Sequence, residues 1–545
     1  MEYGLPILPA VSYISGLSGG SWFLSTLAFN NWTSVQDIIN TRGQKDAVWD
    51  LKDSIANPNG AFFFLGDWIK VFKETYDKKS AGFNTSITDL WSRALSRHMF
   101  SKSSNYGVSM LFSDIRDYPV FKNHEMPFPL VVAVGRAPGT VIDSSTSTVF
   151  EFGPFELGSW DPSLRSFVDL KYIGTDLTGG FPTHNNGTCI AGLDNVSYVF
   201  GTSSSLFNLM ATGAKSMLNF TKLLEKLTQP ILDATANHLS KRNKDIADYQ
   251  PNPFYKTKWA DSSLSIVNNR FLHLVDGGED SQNIPLNPLI QKKRGMDVIL
   301  AYDNSMDSAD HWPNGYSIYQ TYKRQFSNQG KGTVFPKIPN HKTFEALGLN
   351  KIPTFFGCYA KDLTDLMTEV GDDELPPLVI YIPNSYHSYP SNTSTLKMSY
   401  TTDEMLGIFK NGFEVSTRKN LTLDDEWRAC VGCAILQRSK ERLGKDIGEQ
   451  CQRCFDKYCW DGTTITSTEN EEEVEVFKDY GMNIFGESIE THDKVIGEFF
   501  ENTFHDDDDI KIESKFNFSN IDYFNDSIAG IANKLYNILK RQFKN

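Results

Sequence analysis

A serine between glycines near the start of the chain has the setting of a catalytic nucleophile. Residues 16–20 read Gly-Leu-Ser-Gly-Gly, a G-x-S-x-G pattern with Ser18 at its centre. The apolar run at 9–15 predicts a strand, and the segment from Ser21 to about Asn31 predicts a helix. A sharp strand-to-helix turn strains its central residue, and glycines on either side leave room for it. Because short glycine-serine strings are common, a surface turn is the competing interpretation.

The same position favours the stabilisation of negative charge. A helix N-terminus attracts negative charge, and its free amides can face the oxyanion that forms when a nucleophile attacks an ester. We therefore expect the amide of Gly19 to be an oxyanion-hole donor. No pattern in the sequence identifies substrate-binding residues.

A serine hydroxyl is a weak nucleophile unless a base lies within hydrogen-bonding distance. Asp276 is the first candidate, because it ends the apolar run at 271–275 and is followed by two glycines that allow a tight turn. That turn would present the carboxylate at the same sheet edge as Ser18, although most Asp-Gly pairs only cap turns. The other possible base is a histidine, as the last member of a Ser-Asp-His order, and the downstream candidates are His311, His341 and His387.

Apolar strands alternate with helical patterns along much of the chain. Helical patterns dominate from about 35 to 126, and further strands are predicted at 129–134, 271–275 and 297–301. Long apolar runs of this kind have both faces buried. The alternation predicts an α/β fold with a mostly parallel or mixed central sheet, flanked by helices and carrying cap-like insertions.

Composition limits the classes of partner. The 545 residues are 40% hydrophobic and 13% aromatic, which is typical of a globular protein. A net charge of −14 gives no electrostatic reason to expect nucleic-acid binding, and it argues against binding to anionic lipid through a cluster of basic residues. Any membrane contact must therefore rest on apolar surface. No apolar run is long enough to predict a transmembrane helix.

Five of the seven cysteines lie close together and need a common explanation: Cys430, Cys433, Cys451, Cys454 and Cys459. The two Cys-x2-Cys pairs have the spacing of a four-cysteine zinc site, whereas disulfides are the usual interpretation in an oxidising compartment. Nine Asn-x-Ser/Thr triplets favour the second interpretation and a glycosylated protein. Their asparagines are Asn31, Asn84, Asn186, Asn195, Asn219, Asn392, Asn420, Asn517 and Asn525.

Several longer segments resemble one family. Residues 15–22, which read Ser-Gly-Leu-Ser-Gly-Gly-Ser-Trp, look like the nucleophile motif of fungal lysophospholipase/phospholipase B enzymes. The resemblance runs in order from about residue 3 to about residue 462. It includes segments 167–174, 201–208, 275–286 and 312–315, and the cysteine cluster that ends in Cys459 and Trp460.

The resemblance implies a catalytic domain similar to that of cytosolic phospholipase A2, in which a Ser-Asp dyad works without histidine. Ser18 would attack the acyl ester of a phospholipid or lysophospholipid, Asp276 would take its proton, and no cofactor or metal is expected. An aspartate with an ordinary pKa of about 3.9 is a weak base, so the site must strengthen it or stabilise the oxyanion. The family also implies disulfides, passage through the secretory pathway and peripheral contact with a membrane surface.

The sequence departs from the family pattern at its start. Family members carry a glycine-rich loop before the nucleophile, and its arginine helps to form the oxyanion hole. This chain begins too late to contain that loop or a signal peptide, so we expect Met1 to be an internal start. We expect 1–465 to be a catalytic domain without its N-terminal strand and oxyanion loop, and 466–545 to be an acidic, partly helical extension packed on it. Arg136 is expected to form a structural salt bridge, and a catalytically silent lipid- or partner-binding relative is the alternative function.

Overall fold

The computed structural model describes residues 10–465, apart from 43, 45–46, 52–54, 56–59, 137–144, 184–187, 207–245, 261–265, 396 and 398. The predicted extension at 466–545 lies outside the described residues. So do four of the candidate glycosylation sites: Asn186, Asn219, Asn517 and Asn525.

The described strands form sheets of seven, three and two strands. The seven-stranded sheet has the order β5-β4-β3-β2-β9-β8, with β1 paired to β2. The three-stranded sheet has the order β10-β12-β11. The strands are β1 (Tyr13–Gly16), β2 (Phe128–Gly135), β3 (Thr148–Phe152), β4 (Glu156–Ser159), β5 (Ser166–Asp169), β6 (Leu177–Thr178), β7 (Phe181–Pro182), β8 (Ala247–Tyr249), β9 (Leu272–Asp276), β10 (Val298–Asp303), β11 (Thr354–Phe356) and β12 (Leu378–Pro383).

Helices pack against the seven-stranded and the three-stranded sheet. In chain order the described α-helices are α1 (Ser18–Phe29), α2 (Val35–Thr41), α3 (Gly60–Ser80), α4 (Ile87–Met99), α5 (Pro119–Lys122), α6 (Val196–Ser203), α7 (Tyr316–Arg324), α8 (His341–Ala346), α9 (Thr364–Val370), α10 (Thr402–Thr417), α11 (Trp427–Arg442) and α12 (Glu449–Tyr458). Short 3₁₀ segments lie at Ser104–Gly107, Phe112–Asp117, Leu170–Tyr172, Ile266–Asn268, Lys292–Arg294 and Ala360–Leu363. Among the described residues no helix has the length and apolar character needed to cross a membrane.

Strand β2 is the centre of the larger sheet. Its residues from Leu130 to Val134 are each at most 2% exposed, so both faces of the strand are covered. Strand β3 pairs with it along one edge. On the other edge, β1 pairs in parallel over Phe128–Val131 and β9 pairs antiparallel over Ala133–Gly135. Strands β1 and β9 therefore run towards each other along the same edge, and their C-terminal ends meet beside Val132.

The predicted α/β fold is confirmed, and its sheet is mixed. In the described part of the seven-stranded sheet only β1 and β2 are parallel. The mostly parallel alternative does not occur, in part because β3, β4 and β5 follow one another through connections of only three and six residues, at 153–155 and 160–165. Short turns produce antiparallel neighbours, whereas parallel neighbours need a long crossover.

The disulfides lie in and beside the helices that pack on the three-stranded sheet. Cys430 and Cys433 lie one turn apart on α11 and pair with Cys454 and Cys451 on α12, so two bonds join the two helices. The zinc alternative is therefore wrong, because the four sulfurs are bonded in pairs. The third disulfide, Cys358–Cys459, supplies the partner that the five-cysteine cluster lacked. Cys358 escaped the sequence analysis because 101 positions separate it from Cys459.

Two buried ion pairs connect the sheets. Arg294, just before β10, donates to both carboxylate oxygens of Glu151 on β3, and its Nη1 lies 2.9 Å from Oε2. Arg324 at the end of α7 donates to Asp161 at 2.6 Å, and both side chains are at most 3% exposed. Buried ion pairs contribute little net stability, but each one fixes a geometry, since removal of one partner leaves an unpaired charge.

Five candidate glycosylation asparagines lie among the described residues. Asn31 and Asn420 are exposed. The side-chain amide of Asn84 donates to the buried carboxylate of Asp248 at 2.8 Å. That of Asn195 donates to the carbonyls of Val108 and Met110, and that of Asn392 donates to the carbonyl of Asp310. Because the glycan would be attached to this same nitrogen, the geometry favours Asn31 and Asn420.

Candidate active site

The turn that holds Ser18 is strained, as the glycine pattern predicts. Ser18 has a φ of +48°, in the left-handed region that residues with a side chain rarely adopt. A Cβ at Gly16 would lie 2.7 Å from the carbonyl oxygen of Gly20, so only glycine permits this close passage from β1 into α1. The helix begins at Ser18 itself, three residues earlier than the apolar pattern indicated, which places the serine in its first turn.

The first amides of α1 differ in their hydrogen bonding. The amide of Ser18 donates to the hydroxyl of Ser203 at 3.1 Å, so it is already used. Gly19 and Gly20 are exposed, and a Cβ added at either would meet no atom within 4 Å. Neither amide has a hydrogen-bond partner in the described part of the chain. The assignment of Gly19 as an oxyanion donor stays a prediction, and this arrangement is compatible with it.

Asp276 ends β9 at the point where β9 meets the end of β1. Its position on β2 is opposite Ala133, two residues beyond the Val131 that pairs with Gly16. The next residue, Gly277, fills the gap between the strand ends: a Cβ there would lie 2.6 Å from the carbonyl oxygen of Val132 and 2.8 Å from Cβ of Leu17. The structure thus brings Ser18 and Asp276 together, although they approach from opposite directions rather than at one edge of parallel strands.

Burial makes Asp276 a stronger base. Its side chain is 2% exposed, and this burial raises its pKa to about 7. Hydrogen bonding from the amide of Gly278, at 2.8 Å to Oδ1, and from the Ser18 hydroxyl acts in the opposite direction, while the charge of Asp280 adds to the rise. Oδ2 is buried without a partner of full hydrogen-bond geometry among the described residues, so the Ser18 hydroxyl is close to the carboxylate without a fully formed bond.

A polar network behind Asp276 holds the turn that follows it. Asp280 is fully buried and accepts a hydrogen bond from Ser147 at 2.8 Å, and Ser147 accepts one from Arg324 at 3.0 Å. Gln282 also donates to Asp280, from its backbone amide and its side chain. Sequence analysis missed Ser147 and Arg324, because neither stands in a motif and their partners lie more than a hundred positions away.

Arg136 and the candidate histidines lie in other settings. Arg136 pairs with Glu279, its Nη1 3.8 Å from Oε2, which agrees with the structural salt bridge expected for it. His387 forms hydrogen bonds with Asn411 and with the carbonyl of Tyr386, and the backbone amide of His311 donates to Ser308. No histidine is among the groups that shift the pKa of Asp276. In the described residues no three His, Cys, Asp or Glu side chains are arranged to hold a metal ion.

Comparisons with known proteins identify the family to which this chain belongs. The lysophospholipase catalytic domain, as a family, matches residues 4–465. A lysophospholipase of Torulaspora delbrueckii is 49% identical over 469 residues, which are 85% of this chain and 70% of the relative. A lysophospholipase of Kluyveromyces lactis is 49% identical over 86% of this chain and 72% of its own. Lysophospholipase 1 of Saccharomyces cerevisiae is 47% identical over 85% and 68%.

The fold resembles that of a solved structure. Human GIVD cytosolic phospholipase A2 superposes with a TM-score of 0.52 over 75% of this chain and 58% of that chain. The sequences are 15% identical, so the likeness concerns the fold alone.

Proposed function

Because this chain belongs to the lysophospholipase catalytic-domain family, it is a hydrolase of lipid esters, and we propose that it works through a Ser18-Asp276 dyad and an acyl-enzyme intermediate. The substrates we propose are lysophospholipids and glycerophospholipids. The observation that carries the dyad is the pairing of a strained, half-buried Ser18 with a buried carboxylate whose pKa is about 7. Such a carboxylate accepts a proton at neutral pH far better than an ordinary aspartate does.

In the proposed reaction, Asp276 accepts the Ser18 proton as the serine oxygen attacks the ester carbonyl. The oxyanion forms at the N-terminus of α1, where the Gly19 amide and the helix dipole stabilise it. Collapse of this intermediate breaks the ester bond, and Asp276 returns the proton to the departing alcohol. Water then attacks the acyl-serine, Asp276 accepts a proton from it, and the fatty acid leaves as Ser18 regains its proton.

The proposed contact with a lipid surface is peripheral and apolar. With a net charge of −14, the protein has no overall attraction for anionic membranes. Two aromatic side chains instead stand out from the surface: Phe181 on β7 is 76% exposed and Trp259 is 75% exposed. Aromatic rings of this kind partition into the interface between water and lipid.

We also propose that the protein passes through the secretory pathway and is glycosylated. Three disulfides support this proposal, because such bonds form and persist in oxidising compartments.

Removal of either member of the dyad should abolish turnover. We expect Ser18→Ala and Asp276→Asn each to lower kcat for fatty-acid release from lysophosphatidylcholine by at least about a thousandfold, because one loses the nucleophile and the other its base. Asp307→Asn is the matched control, since it also alters a buried aspartate whose pKa is raised to about 7. Full activity in a folded Asp276→Asn variant would exclude the dyad.

The pH dependence should follow Asp276. Its carboxyl is protonated below about pH 7 and cannot accept a proton there, so kcat/KM should fall about tenfold for each pH unit below the midpoint. Above the midpoint a plateau is expected. A rate profile from pH 4 to pH 9 checks this, and a midpoint near pH 4 would contradict the assignment.

The exposed aromatic side chains should strengthen vesicle binding. In a Ser18→Ala background, which leaves the lipid intact, we expect Phe181→Ala/Trp259→Ala to bind phosphatidylcholine vesicles several-fold more weakly in co-sedimentation. The control is Leu443→Ala/Phe413→Ala, which removes two side chains that are 64% and 53% exposed elsewhere. Equal binding by both double variants would show that the surface lies elsewhere.

Glycosylation should be detectable on a gel. Protein from a eukaryotic secretory host should shift in mobility after endoglycosidase treatment. Asn31→Gln and Asn420→Gln should each reduce that shift, whereas Asn84→Gln and Asn195→Gln should leave it unchanged, because their amides are engaged within the fold. A mobility that the enzyme does not alter would contradict the proposal.

A further inference from the structure

Segment 203–205, at the end of α6, joins the two halves of the candidate site. The hydroxyl of Ser203 accepts a hydrogen bond from the amide of Ser18 at 3.1 Å and donates one to the carbonyl of Val132 at 2.6 Å. The carbonyl of Ser203 accepts from the amide of Gly277, and that of Ser205 from the amide of Asp276, both at 3.2 Å. One short segment therefore binds both the nucleophile and the base strand.

The strand arrangement explains why such a segment is required. Because β1 and β9 end against each other beside Val132, polar groups of the backbone at their ends have no strand neighbour there. Unpaired polar groups in a buried position are costly. Ser203 is fully buried, and its hydroxyl lies between the amide of Ser18 and β2. If β1 continued by one residue, that residue would pair with β2 at this position.

We propose that Ser203 is a positioning residue for the nucleophile. Its hydroxyl holds the Ser18 amide, which fixes the left-handed backbone of Ser18 and directs the Ser18 hydroxyl towards Asp276. This inference rests on the proposed dyad. A left-handed serine persists only where its surroundings hold it, and the bond from Ser203 is the side-chain contact that holds this amide.

The Ser203 hydroxyl contacts the nucleophile and not the strand that carries the base. The Ser203 hydroxyl touches the Ser18 amide, whereas the Asp276 amide is held by the carbonyl of Ser205. Loss of the hydroxyl should therefore misplace the nucleophile. Because the Ser18 hydroxyl lowers the pKa of Asp276, the pKa of the base should then stay the same or rise, and it should not fall. Misplacement of a reacting atom by about 1 Å lowers rates by about a hundredfold.

The test compares Ser203→Ala with Ser96→Ala. Ser96 is an equally buried serine on α4 that donates to the carbonyl of Tyr106, away from the dyad. We expect both variants to lose similar thermal stability, and only Ser203→Ala to lose kcat, by about ten- to a hundredfold. Its KM should stay within about twofold, and the pH midpoint of kcat/KM should stay the same or rise. Labelling of Ser18 by a fluorophosphonate should slow in parallel with kcat.

Other outcomes overturn the inference. Wild-type kcat in folded Ser203→Ala, or a pH midpoint of kcat/KM that falls, would show that Ser203 does not act on the nucleophile. If Ser203→Ala does not fold, Ser203→Cys, which keeps a side chain of similar size and weakens both hydrogen bonds, must show the same selective loss of kcat. The proposed dyad fails separately, through an active Ser18→Ala variant, whatever Ser203→Ala does.

Discussion

The meeting of two strand ends beside Val132 is the constraint on which the site depends. Strands β1 and β9 approach each other along one edge of β2, and the last positions on β2 with which they pair are two residues apart. This brings together two side chains that are 258 positions apart, and it leaves the backbone at the junction in need of other partners. Gly16 and Gly277 provide the room, and segment 203–205 provides the hydrogen bonds.

Burial of Asp276 couples catalysis to stability. Raising the pKa of this carboxyl from its ordinary 3.8 to about 7 corresponds to about 4 kcal/mol between its two protonation states. Because the folded form binds the proton more tightly, the stabilisation is complete below pH 3.8 and is lost as the pH rises through about 7. The ionised carboxylate is the form that could act as a base, and it is thus the form that the folded protein favours less. The buried apolar residues of β2 offset part of that cost.

Sequence patterns predicted the parts of this arrangement that are local. The glycines around Ser18, the apolar run before Asp276 and the paired cysteines each follow from a few neighbouring residues. Strand direction could not be predicted in the same way, because it depends on how connections between distant strands run. Arg324 and Cys358 were missed for a related reason: each has an ordinary local sequence and gains its role from a partner far along the chain. Ser203 lies in a segment that resembles the family, but its contacts are with Ser18 and Val132, which are 185 and 71 positions away.

The distance along the chain between Ser18 and Asp276 has a consequence during synthesis. A ribosome makes the serine first, and the carboxylate that would activate it emerges 258 residues later. In the proposed dyad, the Ser18 hydroxyl has no base until β9 docks on β2. The proposed hydrolysis would therefore start only after this long-range contact has formed, and not on the nascent chain.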